Sequence, residues 1–180
     1  MNIDEQKAHM RILVVGGSGF IGSHIADALS EAGHAVTIFD VRPSPYLRAD
    51  QRMTLGNMLD FNQVTAAVQD QEVIFHLAGI PHLDIGINLP IKTVEQNILG
   101  TVHFLEASRQ AGLKRFVYAS SIYVYSEGGS FYRCSKQAAE LYVEEYQRLH
   151  KLDYTVLRFG TVYGPRADDR VAPSLRHAPF

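Results

Sequence analysis

A tyrosine and a lysine four residues apart, Tyr132 and Lys136, form the pair in this sequence that is best suited to proton transfer. At this spacing two side chains lie on the same face of a helix. A cation beside a phenol favours the phenolate and lowers the pKa of the phenol toward neutrality. Such a tyrosine can exchange a proton with a substrate hydroxyl. Because the spacing is also common on solvated helix faces, this interpretation needs support from other residues.

Two further polar positions could join this pair. Ser120 and Ser121 lie at the carboxyl end of a predicted buried strand, and Ser121 lies eleven residues before Tyr132. A serine at a strand end either makes local hydrogen bonds to the backbone or contacts the oxygen of a substrate. Asn97 lies in a predicted long helix, where a single asparagine is usually solvated. Neither position indicates catalysis by itself.

A glycine-rich segment near the start of the chain, residues 11–24, predicts a strand, a tight turn and the start of a helix. Its glycines fit two registers, Gly17-x-Gly19-x-x-Gly22 and Gly16-x-x-Gly19-x-x-Gly22. Glycine lets the backbone approach an anion, and the N–H groups and dipole at a helix start face the negative charge. Asp40 closes the next predicted strand, 18 residues after Gly22, where an acid contacts the ribose of a dinucleotide. The segment therefore predicts a pyrophosphate site, beside which Tyr132 could act in hydride transfer.

These residues need a scaffold that brings them together, and the pattern of the chain predicts one. Strands are predicted over 11–15, 35–40, 53–55, 72–77, 114–119 and 154–159, and helices over 20–32, 61–68, 90–110 and 131–150. A loop is predicted over 79–89. The alternation implies an α/β fold, a doubly wound parallel sheet of the Rossmann type with helices on both faces. Ligands bind such a sheet at the carboxyl ends of its strands, where the polar motifs of this chain lie.

Composition argues against several classes of function. The 180 residues carry 17 basic and 19 acidic side chains, and no basic run stands out, so nucleic acid is not an expected partner. The longest apolar stretches have the length of strands, which predicts no membrane helix and no secretion signal. The eight histidines show no metal-ligand spacing, so no metal is predicted. Cys134 is the only cysteine, which favours a reducing cytoplasm.

Taken together, the motifs resemble the extended short-chain dehydrogenase/reductase superfamily, in its NAD-dependent epimerase/dehydratase branch. The resemblance covers about residues 11–166. It rests on the glycine segment and on the motifs His76-Leu-Ala-Gly79, Asn97-x-x-Gly100-Thr101, Arg115-Phe-Val-Tyr-Ala-Ser-Ser121, Val124-Tyr125, Leu157-Arg158-Phe159 and Val162-Tyr163-Gly164-Pro165. Several motifs in the same order are much more specific than any one of them.

The resemblance implies a role for each site residue. Tyr132 would be the general acid/base, and Lys136 would lower its pKa and hydrogen-bond the nicotinamide ribose. Ser121 would orient the reacting oxygen, and Asn97 would shape the long helix and hold a relay water. The implied cofactor-binding residues are Gly16, Gly19, Phe20, Ile21, Gly22, Asp40, Asn57, Met58, Leu77, Ala78, Gly79, Tyr132 and Lys136. NAD is favoured over NADP, because the Asp40 carboxylate repels a 2′-phosphate even though Arg42 lies nearby.

The function that the resemblance implies is that of an NAD-dependent oxidoreductase or epimerase acting on a sugar or polyol, free or nucleotide-linked. By analogy with related proteins, the chain would form a homodimer. Residues 10–165 would form the dinucleotide-binding domain, with a flexible tail or expression remnant at 1–9 and a remnant of the substrate lobe or a tail at 166–180.

Three departures from the family pattern keep other functions open. The gap between Ser121 and Tyr132 is short, most of the substrate lobe is missing, and Ile122-Tyr123 stand where the sugar 4,6-dehydratases show Asp-Glu. The alternatives are a simple NAD(P)-dependent alcohol dehydrogenase or reductase, and a non-catalytic or truncated dinucleotide-binding module.

Overall fold

The computed structural model of the protein describes residues 9–81 and 83–167. The tails predicted at 1–9 and 166–180 therefore lie outside the described residues, apart from His9, Arg166 and Ala167. Within the described part, the chain alternates between strands and helices from Arg11 to Phe159.

A six-stranded sheet forms the centre of the fold. Its strands are β1 (Arg11–Val15), β2 (Ala35–Asp40), β3 (Arg52–Leu55), β4 (Val73–His76), β5 (Arg115–Ser121) and β6 (Tyr154–Phe159). They lie in the order β3-β2-β1-β4-β5-β6, and every pair is parallel. The strand order reverses between β1 and β4, so a crevice opens there at the carboxyl ends of the strands. The predicted doubly wound parallel sheet is confirmed.

Helices connect the strands. They are α1 (Phe20–Glu31), α2 (Phe61–Val68), α3 (Leu83–Asn88), α4 (Pro90–Val94), α5 (Gly100–Ala111) and α6 (Ser130–His150). A π-helical segment, Glu95–Leu99, joins α4 to α5, and a 3₁₀ turn, Ile122–Tyr125, follows β5. Local chemistry defines several ends: the Asp60 carboxylate accepts hydrogen bonds from the first turn of α2, and Gly112 ends α5 in the left-handed conformation.

Apolar side chains cover both faces of the central strands. Ile12 and Val14 of β1 lie in one buried cluster with α1, whereas Leu13 and Val15 lie in the other with α2, α5 and α6. Successive side chains of a strand point to opposite faces, so a continuous apolar run indicates a strand buried on both sides. Because helices pack on both faces of the sheet, the carboxyl ends of its strands, which carry the polar motifs, are held in place.

Two of the differences from the predicted bounds lie beside the candidate site, and tertiary packing explains both. The segment 79–89, predicted as a loop, contains α3, whose Gly86 packs so closely on the backbone of Tyr132 that an added Cβ would lie 3.3 Å from its nitrogen. Strand β5, predicted to end at Ala119, continues to Ser121 because Ser120 and Ser121 pair with the last two residues of β6. Both differences bring additional backbone close to the candidate site.

Candidate active site

The turn between β1 and α1 lies against the end of β4. Gly16 adopts a φ of +85°, and a Cβ at this residue would lie 2.8 Å from the backbone nitrogen of Ala78. A Cβ at Gly22 would collide with the carbonyl oxygen of Gly16, and one at Gly19 would lie 3.3 Å from that same oxygen. The three glycines therefore allow the turn, the helix and the neighbouring strand end to approach one another closely.

The start of α1 presents unused hydrogen-bond donors at the carboxyl edge of the sheet. Gly19 caps the helix without a side-chain hydrogen bond, and the first turn, which begins with Phe20, Ile21 and Gly22, contains no acidic residue. The first N–H groups of a helix have no partner within the helix, and the positive end of the helix dipole lies there. These donors fit a bound diphosphate and would be poorly matched to a cation.

Asp40 lies beside this turn at the end of β2. Its Oδ2 accepts a hydrogen bond from the backbone N–H of Ser18 at 3.1 Å, and its Oδ1 accepts one from the backbone N–H of Arg42 at 3.3 Å. The Ser18 hydroxyl in turn donates to the carbonyl oxygen of Arg42 at 2.8 Å. The carboxylate thus organises the turn and retains lone pairs for further donors, such as sugar hydroxyls.

The other residues predicted to contact a cofactor follow β3 and β4 at the same edge. Asn57 accepts a hydrogen bond from the Leu59 nitrogen at 3.0 Å, and Met58 is buried against Gly100 of α5. Leu77, Ala78 and Gly79 come directly after β4, where Leu77 N–H donates to Val15 at 2.9 Å. The topology therefore places these residues along one edge, with β2 and β1 between the ends of β3 and β4.

Asn97 uses its whole side-chain amide to hold elements together. Its Oδ1 accepts from the Ile80 nitrogen at 2.7 Å, and its Nδ2 donates to the Ile80 carbonyl at 3.2 Å and to the Ser135 hydroxyl at 2.9 Å. Ser135 donates in turn to the carbonyl oxygen of Tyr132 at 2.7 Å. Asn97 therefore ties the segment after β4 to the helix that carries Tyr132. Its predicted contribution through a relay water stays a prediction.

Tyr132, Lys136 and Ser121 come together where β5 meets α6. Tyr132 is 8% exposed and Lys136 6% exposed. The Lys136 ammonium donates to the Ala119 carbonyl at 2.7 Å and lies 5.9 Å from the centroid of the Tyr132 ring. The Ser121 hydroxyl accepts a hydrogen bond from the Tyr123 nitrogen at 3.3 Å and lies near enough to Tyr132 to lower its pKa. A phenol, a hydroxyl and an ammonium therefore lie together where β5 meets α6.

The expected lowering of the Tyr132 pKa is wrong for this structure. Burial raises the pKa of Tyr132, the nearby Ser121 hydroxyl lowers it in part, and neighbouring Tyr123 raises it. Burial also lowers the pKa of Lys136 to about 8, with Glu140 opposing that change. The i, i+4 spacing did place the two side chains on one helix face, but desolvation dominates both pKa values.

Sequence reasoning missed several side chains around this cluster. Glu140 lies one helical turn beyond Lys136, and its carboxylate receives hydrogen bonds from Ser120 and Arg158. Tyr123 packs edge-on against Tyr132, with 6.3 Å between the ring centroids. The spacing of Lys136 and Glu140 on one helix face was a usable signal for Glu140. Arg158, on a distant strand, offered no such local signal.

The segment after β6 returns to α1. The Pro165 carbonyl lies 2.9 Å from Nε2 of His24. Arg166 forms an ion pair of 2.8 Å with Asp27 of α1, and its guanidinium lies 4.5 Å from the centroid of the Tyr46 ring. This return segment, 160–167, therefore connects the edge strand to the helix that starts at the glycine turn.

Two predicted absences can be compared with the described residues. Among them, no group of three or more histidine, cysteine, aspartate or glutamate side chains is arranged to hold a metal ion. In the same part of the chain, no helix combines the length and the apolar character needed to cross a membrane. Cys134, on α6 beside the site, is exposed.

Several proteins with known sequences or structures are similar to this chain. The putative UDP-glucose 4-epimerase of Methanocaldococcus jannaschii is 32% identical over 188 residues, covering 88% of this chain and 58% of the relative. UDP-glucose 4-epimerase of Mycolicibacterium smegmatis is 34% identical over 184 residues, with the same two shares. The Thermus thermophilus UDP-glucose 4-epimerase, solved with NAD, superposes with a TM-score of 0.84 at 31% identity, covering 92% of this chain and 60% of the other.

These relatives are longer proteins, and the chain spans less than two thirds of their length. The similarity nevertheless runs along most of the chain. Residues 12–178 match the sequence model of the NAD dependent epimerase/dehydratase family. The match agrees with the resemblance inferred from the glycine turn and from the Tyr132 and Lys136 pair. The chain belongs to the NAD dependent epimerase/dehydratase family.

Proposed function

We propose that the chain binds NAD and acts on a nucleotide-linked sugar, or on a related sugar or polyol, by hydride transfer with Tyr132 as the acid/base. The observation that carries this proposal is the meeting of Tyr132, Lys136 and Ser121 at the sheet edge that also carries the uncapped start of α1. The similar proteins that are named UDP-glucose 4-epimerases support the sugar-nucleotide class.

The residues present fit a dinucleotide. Gly16 and Gly22 let the turn pack closely against the end of β4 and against the start of α1. The free N–H groups of the first turn of α1 suit the diphosphate of a dinucleotide. Asp40 would accept hydrogen bonds from the adenosine ribose, and its charge disfavours the extra phosphate of NADP. When bound, NAD supplies a hydride acceptor and, in the reverse direction, a hydride donor.

The chemistry left to the chain is proton transfer and positioning. Tyr132 would take the proton of the substrate hydroxyl as the carbinol is oxidised and return a proton to the carbonyl oxygen on reduction. Ser121, which lies beside Tyr132, would hold the reacting oxygen. The Lys136 ammonium, against the Tyr132 ring, would stabilise the phenolate. Burial of all three side chains keeps bulk water from this step.

Titration calorimetry with NAD and NADP, followed by a panel of UDP-sugars and free sugars, tests the proposal. We expect NAD to bind more tightly than NADP and a UDP-sugar to be converted. Isomerisation without net NADH indicates an epimerase, whereas accumulation of NADH indicates a simple dehydrogenase, which the short connection from Ser121 to Tyr132 favours. If NAD binds but no sugar is converted, the chain acts as a binding module and not as an enzyme on these substrates. If NAD does not bind, the proposal is refuted.

A homodimer is the assembly that the surface supports best. Apolar side chains of α4 and α6 lie exposed, among them Ile91 at 75% and Leu141 at 63%. Two such faces could pack against each other and bury this surface. We expect sedimentation velocity to show a dimer that Leu141→Glu converts to monomer, while Leu47→Glu, at an exposed leucine elsewhere, leaves it intact. A monomeric unmodified protein would overturn this assembly.

The predicted cytoplasmic location also belongs to the proposal. Its support is compositional: the chain has one cysteine, Cys134, and therefore no internal disulfide. Fractionation of cells that express the full-length protein tests it, and recovery in a secreted or membrane fraction would contradict it.

A further inference from the structure

The proposed function leaves one buried charged cluster unused. Glu140 is 7% exposed, and it lies on α6 one turn beyond Lys136. Its carboxylate accepts hydrogen bonds from Nε and Nη2 of Arg158 at 3.0 and 2.7 Å. The Ser120 hydroxyl, at the carboxyl end of β5, donates to the same carboxylate. Burying a carboxylate costs free energy, so one held this firmly beside a candidate site needs an explanation.

Arg158 in turn contacts the exposed side chain of Tyr125. Its Nη1 donates to the Tyr125 hydroxyl, and its guanidinium lies 5.0 Å from the centroid of the Tyr125 ring. The Glu140 carboxylate is therefore fixed by β5 and β6 through Ser120 and Arg158, rather than by α6 alone. A carboxylate with so little freedom keeps a constant distance from any charge on the same helix face.

Lys136 is the charge next to it on that face. The Lys136 ammonium donates to the Ala119 carbonyl at 2.7 Å and lies 4.9 Å from the centroid of the Tyr118 ring. The aromatic rings of Tyr118 and Tyr132 lie close to this ammonium, which is 6% exposed. Burial favours the neutral amine in such a place, and a neutral amine could not stabilise a phenolate.

The titratable groups that face Lys136 come from four elements of the described chain. They are Tyr132 and Glu140 on α6, Tyr118 on β5, His76 on β4 and, through Glu140, Arg158 on β6. Burial lowers the pKa of His76 to about 3, so its ring is neutral, and burial raises the pKa of both tyrosines. Among these groups, Glu140 alone carries a negative charge at neutral pH.

We propose that Glu140 is a positioning residue that keeps Lys136 in its ammonium form beneath the Tyr132 ring, with Ser120 and Arg158 fixing its carboxylate. The effect of the Lys136 charge on catalysis rests on the proposed function. The protonation of Lys136 itself can be measured without NAD or substrate. Glu140 would act on the reaction only through Lys136, since the Glu140 carboxylate is bonded to Ser120 and Arg158 rather than to the site.

Substituting the two partners of the Glu140–Arg158 ion pair should shift the pKa of Lys136 in opposite directions. This result distinguishes the proposed role from simple structural support. Glu140→Gln removes the negative charge and leaves Arg158 unpaired, so Lys136 should lose its proton at lower pH. Arg158→Gln removes the positive charge and leaves Glu140 unpaired, so Lys136 should keep its proton to higher pH. Loss of a purely structural bridge would affect Lys136 in the same direction in both variants.

The experiment is an NMR titration of NAD-free protein that carries lysine labelled with ¹³C at Cε. Lys136→Arg identifies the signal. In the unmodified protein we expect a pKa for Lys136 of about 8. We expect a midpoint lower by about one pH unit in Glu140→Gln and a higher one in Arg158→Gln. Glu145→Gln, which breaks the exposed pair of Glu145 with Arg148 on the same helix, should leave the midpoint unchanged.

A second comparison covers the case in which Glu140→Gln fails to fold. The double variant Glu140→Gln/Arg158→Gln leaves neither member of the Glu140–Arg158 pair as a charge without its partner, and it differs from Arg158→Gln only at Glu140. Its Lys136 midpoint should lie below that of Arg158→Gln. Equal midpoints in these two variants, or shifts of the same sign in the two single variants, would overturn the proposal. Failure to bind NAD would instead count against the proposed function and leave this titration unaffected.

Discussion

Tyr132→Phe is expected to remove most of the turnover, with kcat lower by about 10²–10⁴-fold, because no other group can exchange the proton as efficiently. The phenyl ring keeps the packing of Tyr132 against Lys136 and Tyr123 and loses only the hydroxyl. The glycine turn that would hold the diphosphate lies on other elements. The affinity for NAD should therefore stay close to that of the unmodified protein. Steady-state kinetics and calorimetry on the same samples measure the two effects.

A matched control lies on the same helix. Tyr142 is also on α6 but is exposed to solvent. Tyr142→Phe makes the same chemical change away from Ser121 and Lys136, so it should leave both kcat and NAD affinity unchanged. Full activity of Tyr132→Phe with a UDP-sugar that the unmodified protein converts would exclude Tyr132 as the acid/base.

Gly16→Ala should give the second large effect, a loss of NAD affinity. The φ of +85° at Gly16 is unfavourable for alanine, and the added Cβ would lie 2.8 Å from the backbone nitrogen of Ala78. A left-handed conformation alone costs a residue with a Cβ about 1–2 kcal/mol. To relieve this close contact, the glycine turn must move away from β4. That movement displaces the first turn of α1. We expect affinity to fall at least about tenfold, since about 1.4 kcal/mol corresponds to a factor of ten. Calorimetry with NAD measures it.

Gly128→Ala provides the comparison for this prediction. No atom lies within 4 Å of a Cβ added at Gly128, which is in the connection between β5 and α6. That variant should bind NAD as the unmodified protein does. Circular dichroism and thermal unfolding separate a local change at the turn from a general loss of structure. A Gly16→Ala protein that is folded and binds NAD with unchanged affinity would show that the diphosphate lies elsewhere.

Local sequence signals predicted most of the fold. The apolar periods located all six strands, and β2 and β6 agree with their predicted bounds. Asp60 caps α2, and Gly33 follows the end of α1 with a φ of +89°, as the residue types indicate. These features depend on residues close in sequence, whose propensities act without information about the rest of the chain.

Features that depend on distant residues could not be predicted in the same way. Helix α3 packs on the backbone of Tyr132, and the amide of Asn97 divides its hydrogen bonds between Ile80 and Ser135. The pKa of Tyr132 depends on how deeply the ring is buried, which the spacing to Lys136 does not reveal. The sequence indicated which side chains would share an edge, but their desolvation and hydrogen-bond partners become known only from the packed structure.

The return segment 160–167 also bears on how the protein is made. Helix α1 leaves the ribosome early, whereas Pro165 and Arg166, which contact His24 and Asp27, follow some 140 residues later. Contacts between parts so distant in sequence close large loops and form slowly. The nascent amino-terminal helix therefore lacks these two contacts until the return segment has been synthesised. Its final attachment must wait until the return segment has been made and β6 has joined the sheet.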